Sequence, residues 1–223
     1  MKKKKAVIYT IVGFVVAAVL LFPIIWMLPA AFKPRAELFG IPNTFFPKDP
    51  TLDNFTKVFQ MKLNGYGFVR SLFVTLLVAT GATALSLAVN TMAGYVFARL
   101  NFRGKNVLWI YFLCTMFIPG ITILLTSIKV VNMLGMMDTV FVLIIPAASN
   151  AYNIFFFRQF YLGIPENIEE AAVVDGASKF KIFYKIFLPM SVTPMVVIGV
   201  GVFMGNYNSF LWPTLTIVNQ PNL

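Results

Sequence analysis

Long apolar runs separated by short polar segments dominate the chain. Five of them reach the roughly 20 residues that a helix needs to cross a hydrocarbon core: residues 6–29, 69–97, 107–128, 139–157 and 186–205. The pattern predicts an all-α integral membrane protein, a polytopic bundle of five spans forming a single transmembrane domain over residues 1–223. The first run follows Lys2 to Lys5, as a secretory signal would. A signal has an apolar core of only about 7–15 residues followed by a small-residue cleavage site. Pro29-Ala30-Ala31 is not such a site, so the run reads as a retained anchor.

The connecting segments differ from one another. Residues 32–68 carry Pro34, Gly40, Pro42, Pro47, Pro50 and Gly67, and predict a compact loop with a short helix around Asp53 to Met61. Residues 161–185 read instead as two short helices. Pro165 suits a first helical position, and Glu166, Glu169 and Glu170 suit the positive end of the helix dipole. Gly176 suits a left-handed cap and Ser178 the N-cap of a second helix. In that helix Phe180, Phe183, Tyr184 and Phe187 are expected on one face, with Lys181 and Lys185 on another.

Composition agrees with the pattern. Apolar residues make up 59%, charged residues 12%, and mean hydropathy is +0.81. A soluble fold this apolar could not cover its surface. The net charge of +10 is not a nucleic-acid signature, because the basic residues lie between apolar runs and act as topology signals. With the N-terminus inside, eleven of them fall in inner segments, close to the spans, and seven in the longer outer ones. The N-terminus is therefore expected on the cytoplasmic side, 32–68 outside and 161–185 inside. The single cysteine, Cys114, excludes an internal disulfide and reads as a small core residue; with no histidine, no metal site or cofactor is expected.

The acids are Glu37, Asp49, Asp53, Asp138, Glu166, Glu169, Glu170 and Asp175, all outside the spans. Ion-coupled carriers place ionisable groups within the bilayer, so this distribution argues against one. No G-x-x-x-x-G-K-[ST] phosphate loop is present either. Uphill transport would have to be powered by another polypeptide.

From Glu170 the chain runs E-A-A-V-V-D-G-A-S-K-F-K-I-F-Y-K-I-F-L-P. This resembles the signature of the permease subunits of bacterial ABC importers: E-A-A, three residues, Gly, nine residues, I-x-L-P. Glu170-Ala171-Ala172, Gly176, Ile186, Leu188 and Pro189 occupy every fixed position. F-F-F-R-Q-F at Phe155–Phe160, A-G-Y-V-F-A-R-L at Ala93–Leu100, F-I-P-G at Phe117–Gly120 and F-L-W-P at Phe210–Pro213 are similar to the carbohydrate branch, above all to the second permease of maltose-type importers. Arg70-Ser71 departs from the Asn-Ser of many relatives. The family usually has six spans, which predicts a chain cut short before a last one.

The resemblance implies a type I importer fold in the bacterial plasma membrane and a non-catalytic transport subunit. It also implies several partners: a second permease, two ATP-binding-cassette ATPase subunits and an extracytoplasmic solute-binding protein. Glu170, Ala171, Ala172, Asp175, Gly176, Ala177 and Ser178 would form the coupling element on the ATPase subunit, the small residues allowing close approach. Polyol or glycerol phosphate permeases share these motifs; a membrane-anchored structural subunit would not need them.

Polar residues within the spans are candidates for the solute path, because an amide facing lipid is costly. They are Asn90, Ser149, Asn150, Tyr152, Asn153, Asn206, Tyr207 and Asn208. Amides beside aromatic rings suit a neutral, hydroxyl-rich solute. The same residues suit hydrogen bonding between helices, the commoner role of polar groups in a span.

Overall fold

The computed structural model describes residues 2–42, 44–63 and 66–219. The chain divides into two compact units, residues 1–69 and 70–223. In the first, α1 (Lys2–Ala30) is followed by α2 (Arg35–Leu38) and α3 (Asp53–Gln60), then by an antiparallel pair, β1 (Lys62–Leu63) and β2 (Tyr66–Gly67). The expected helix in the 32–68 loop is present, and the small hairpin was not foreseen. The loop is tied down by the Asn54 amide, which donates to the carbonyls of Ala31 (2.9 Å) and Lys33 (2.8 Å). The Glu37 carboxylate also accepts the Thr44 hydroxyl and the backbone N–H of Lys48.

The second unit begins within α4 (Phe68–Arg99) and continues through α5 (Lys105–Thr115), α6 (Gly120–Met133) and α7 (Val140–Ile144). A 3-10 turn (Ile145–Ala148) leads to α8 (Ala151–Leu162) and α9 (Glu166–Val174). Then come α10 (Lys179–Ile182), a π turn (Phe183–Phe187), α11 (Leu188–Met190), α12 (Val192–Tyr207) and α13 (Leu211–Thr216).

Among the described residues, two helices are long and apolar enough to cross a membrane unaided, Ala6–Ala30 and Phe68–Arg99. The other three expected spans are not straight helices. Each is a bent pair: α5 and α6 at 107°, residues 140–148 and α8 at 41°, residues 179–190 and α12 at 76°. Proline explains the first and last bends. Pro119 has no N–H to continue α5 and sits extended (ψ 132°), so the helix stops before it and restarts at Gly120. Pro189 follows a π turn, and the helix breaks at Ser191 (ψ 13°) before resuming. The middle break falls at Ser149 and Asn150, both extended. The second helix of the 161–185 segment therefore runs without a loop into the first half of the last pair.

The core of this unit gathers Tyr95 of α4, Phe157 and Tyr161 of α8, Ala172 of α9 and Ile182, Phe183 and Phe187 beyond it. The helices can approach because Gly94 faces α8: a Cβ there would lie 2.7 Å from Phe157 Cβ. Cys114, expected in the core, is exposed on α5.

Candidate functional site

The segment after α8 folds as the expected pair of short helices, but Pro165 is the residue preceding α9 rather than its first helical position. Gly176 ends α9 with φ +75°, where a side chain would be strained. Around it the Ala177 N–H bonds the Ala172 carbonyl (2.9 Å) and the Gly176 N–H bonds that of Val173 (3.0 Å), the paired bonds of a Schellman cap. The Ser178 hydroxyl then accepts the Lys181 N–H at 3.3 Å and caps α10. Two hydrogen-bonded caps, at Gly176 and Ser178, two residues apart, make the turn stiff.

The predicted coupling residues divide by exposure. Glu170, Ala171, Asp175, Gly176 and Ser178 are exposed, and Ala177 is half-buried. Ala172 is buried against the chain's own core and offers nothing to a partner. Its place on the outer surface is taken by Val174, which is 87% exposed and was not anticipated. The expected aromatic face also splits: Phe183 and Phe187 are buried, Phe180 and Tyr184 exposed. Ile182, at the end of α10, joins Phe183 and Phe187 on the buried side.

Beside α9 lies an open recess of about 710 Å³, lined by Glu166, Glu169, Glu170, Val174, Arg99 and Lys179 among others. Sequence reasoning assigned Arg99 only to topology and Glu169 only to the helix dipole. In the structure Glu169 is buried and bonds Lys179 Nζ at 2.9 Å, with Arg99 Nε at 3.9 Å. The available signal was a basic residue ending a long apolar helix, in A-G-Y-V-F-A-R-L, but its acid partner lies 70 positions on.

The polar residues of the spans also divide. Asn150, Tyr152, Asn153 and Asn206 line a second recess of about 590 Å³, together with Ser86 and Ser149, and no charged side chain lines it among the described residues. Asn90 does not line it. Fully buried, its amide donates to Ser86 and to the Ala148 carbonyl (3.1 Å), and its oxygen accepts the Asn150 N–H (3.0 Å). Asn90 thus satisfies backbone groups that the break in the second bent pair would leave unpaired. Asn150 caps α8, its side chain accepting the N–H groups of Tyr152 and Asn153. Tyr207 stacks on Phe203 (ring centroids 6.0 Å apart) and lies outside the recess, as does Asn208, which bonds its own helix.

Among the described residues, no cluster of three or more His, Cys, Asp or Glu could hold a metal. Residues 90–221 match the family described as binding-protein-dependent transport system inner membrane component. The arabinooligosaccharides transport system permease protein AraQ of Halalkalibacterium halodurans is 31% identical over 210 residues, which cover 92% of this chain and 74% of that one. The sn-glycerol-3-phosphate transport system permease protein UgpE of Escherichia coli is 28% identical over 207 residues (91% and 73%). The same fold occurs in a bacterial ABC transporter involved in the import of the acidic polysaccharide alginate, at TM-score 0.84 and 23% identity, covering 97% of this chain and 75% of that one. With the E-A-A segment folded as a capped helix pair and these matches running through it, the chain belongs to the inner membrane permease components of binding-protein-dependent ABC transport systems.

Proposed function

We propose that this permease forms half of the membrane pathway of an ATP-driven importer for a neutral sugar or oligosaccharide. A second permease completes the pathway, a solute-binding protein delivers the solute from outside, and two ATPase subunits drive the cycle. The chain crosses the membrane five times, counting each bent pair as one span, with its N-terminus in the cytoplasm. The observation that carries the reading is the capped helix pair of residues 166–182. Its exposed Glu170, Asp175 and Val174 beside an open recess suit a partner that presses on a stiff element.

The uncharged recess at Asn150, Asn153 and Asn206 supports a hydroxyl-rich solute, since amides both donate to and accept from hydroxyls. The similarity to the glycerol phosphate permease favours a second reading, an anionic solute. A phosphate in this recess would find no cationic partner among its lining, and burying a bare charge is expensive. Vesicles holding the complete complex decide between them. ATP-dependent uptake of neutral saccharides is expected; preferential uptake of a phosphorylated or acidic solute overturns the sugar assignment. Uptake by vesicles lacking the ATPase subunits would overturn the coupling.

A further inference from the structure

Arg99 ends α4 and is held there from several sides. Its Nη2 donates to the Tyr161 carbonyl (2.7 Å) and to that of Ile164, just past the end of α8. Its guanidinium lies over the Phe187 ring, 5.1 Å from the centroid. The side chain is 6% exposed, and its Nε is buried without a hydrogen-bond partner among the described residues. Glu169 Oε2 is 3.9 Å away, within reach of the charge but about 1 Å beyond the 2.7–2.9 Å of a charge-assisted hydrogen bond. The other oxygen of Glu169 accepts from Lys179, whose side chain is 54% exposed. Glu169 thus stands between one cation sealed inside the fold and one at the surface.

An unpaired buried donor is costly, so any movement of α9 that brings Oε2 onto Nε is favoured. We propose that Arg99 and Glu169 are positioning residues forming a clasp, open in this structure, that closes when α9 is pressed toward α4 and makes the two helices move together. Lys179 neutralises the carboxylate while the clasp is open. Because Arg99 is anchored on one carbonyl of α8, on the Ile164 carbonyl just beyond it and on Phe187, a push on α9 reaches α4 and α8 instead of being absorbed by a flexing side chain. The role in transport rests on the reading of α9 as the surface that the ATPase drives; the clasp itself does not.

Glu169→Asp separates this from a general need for charge. It keeps an acid near the start of α9 but withdraws the carboxylate by one methylene, so the clasp cannot close. In vesicles holding the whole complex, Glu169→Asp and Glu169→Gln are expected to keep stimulated ATP hydrolysis within about twofold. Solute moved per ATP should fall about tenfold or more, the factor carried by a charge-assisted contact. Glu166→Gln, on the same helix and lining the same recess, should keep the wild-type ratio. An unchanged ratio in Glu169→Asp overturns the proposal.

Amide hydrogen exchange on the purified chain in detergent reads the clasp without any partner, because the unpaired Nε draws Oε2 in whenever α9 fluctuates toward α4. In Glu169→Gln, exchange across α9 and the last turn of α4 should rise together, and in Glu166→Gln neither should change. A rise in α9 alone overturns the clasp. A rise throughout the chain marks misfolding, and Lys179→Gln then decides. That change removes the competing ammonium and leaves Arg99 intact, so α9 must exchange no faster than in wild type; faster exchange overturns the proposal. A wild-type complex that turns over no ATP refutes the docking reading instead, and the exchange measurement still judges the clasp.

Discussion

The side-chain oxygen of Asn90 accepts the backbone N–H of Asn150 at 3.0 Å, sixty residues away, while its amide nitrogen donates to Ala148 on the other side of the same break. One buried side chain therefore holds the second bent pair in shape. Asn90→Ala should leave two part-buried backbone groups unpaired, at a cost of up to about 1–3 kcal/mol each. Asn90→Asp restores the acceptor but cannot donate to Ala148 and should recover only part of that loss. Thermal unfolding of the purified chain in detergent measures both. Equal stability of all three proteins would show that the break holds its shape without Asn90.

The turn after α9 predicts a loss of coupling without a loss of folding. Gly176 has open space around it, so a valine there meets no clash and is strained only by its backbone. Holding a β-branched residue in the left-handed region costs about 1–2 kcal/mol. Gly176→Val should displace Glu170 and Asp175, and Glu170→Ala should remove an exposed carboxylate that bears no part of the core. Both complexes should assemble, by size exclusion, with transport and stimulated ATP hydrolysis falling together. Lys185→Gln should have much less effect. Normal activity in both variants would mean that this loop is merely a solvated surface helix pair.

Topology is checked by labelling. In a Cys114→Ala background, Lys48→Cys should react with an impermeant thiol reagent from outside the cell. Lys181→Cys should react only from the cytoplasmic side. The reverse pattern would invert the arrangement and place the E-A-A segment where no ATPase could reach it.

Glu37 gives the outer loop a pH dependence. Burial pushes its carboxyl upward, but the Lys48 N–H, the Thr44 hydroxyl and the Lys33 ammonium together hold it below its usual 4.5. A depressed folded value contributes stability that is fully present above the unfolded value and lost as pH falls through the folded one. The loop should thus stay closed from neutral pH down to about 4.5 and loosen on further acidification. Trp26 packs against Phe45, with ring centroids 5.3 Å apart, and reports this by fluorescence once Trp109 and Trp212 are replaced. Glu37→Gln should abolish the acid step; an identical step in that variant would assign it to another group.

The apolar runs determined the membrane class, because burying about 20 residues in lipid demands a helix whatever its neighbours do. Caps were equally legible. Gly176 and Ser178 act on backbone groups within five residues of themselves, so their spacing alone fixed the turn after α9. The E-A-A spacing fixed the family for the same local reason. Bends were less legible: Pro119 and Pro189 stand in plain view, but a proline in an apolar run can kink a helix slightly or turn it through 107°, and only packing chooses. Roles that depend on a distant partner could not be read at all. Asn90 was consistent with a solute path as well as with a helix tie until Ala148 and Asn150 were placed against it. Glu169 looked like one of three solvated acids near the start of α9. Tertiary structure buried that one and left Glu166 and Glu170 outside, because only one face of a helix can turn toward Arg99 and the core beneath it.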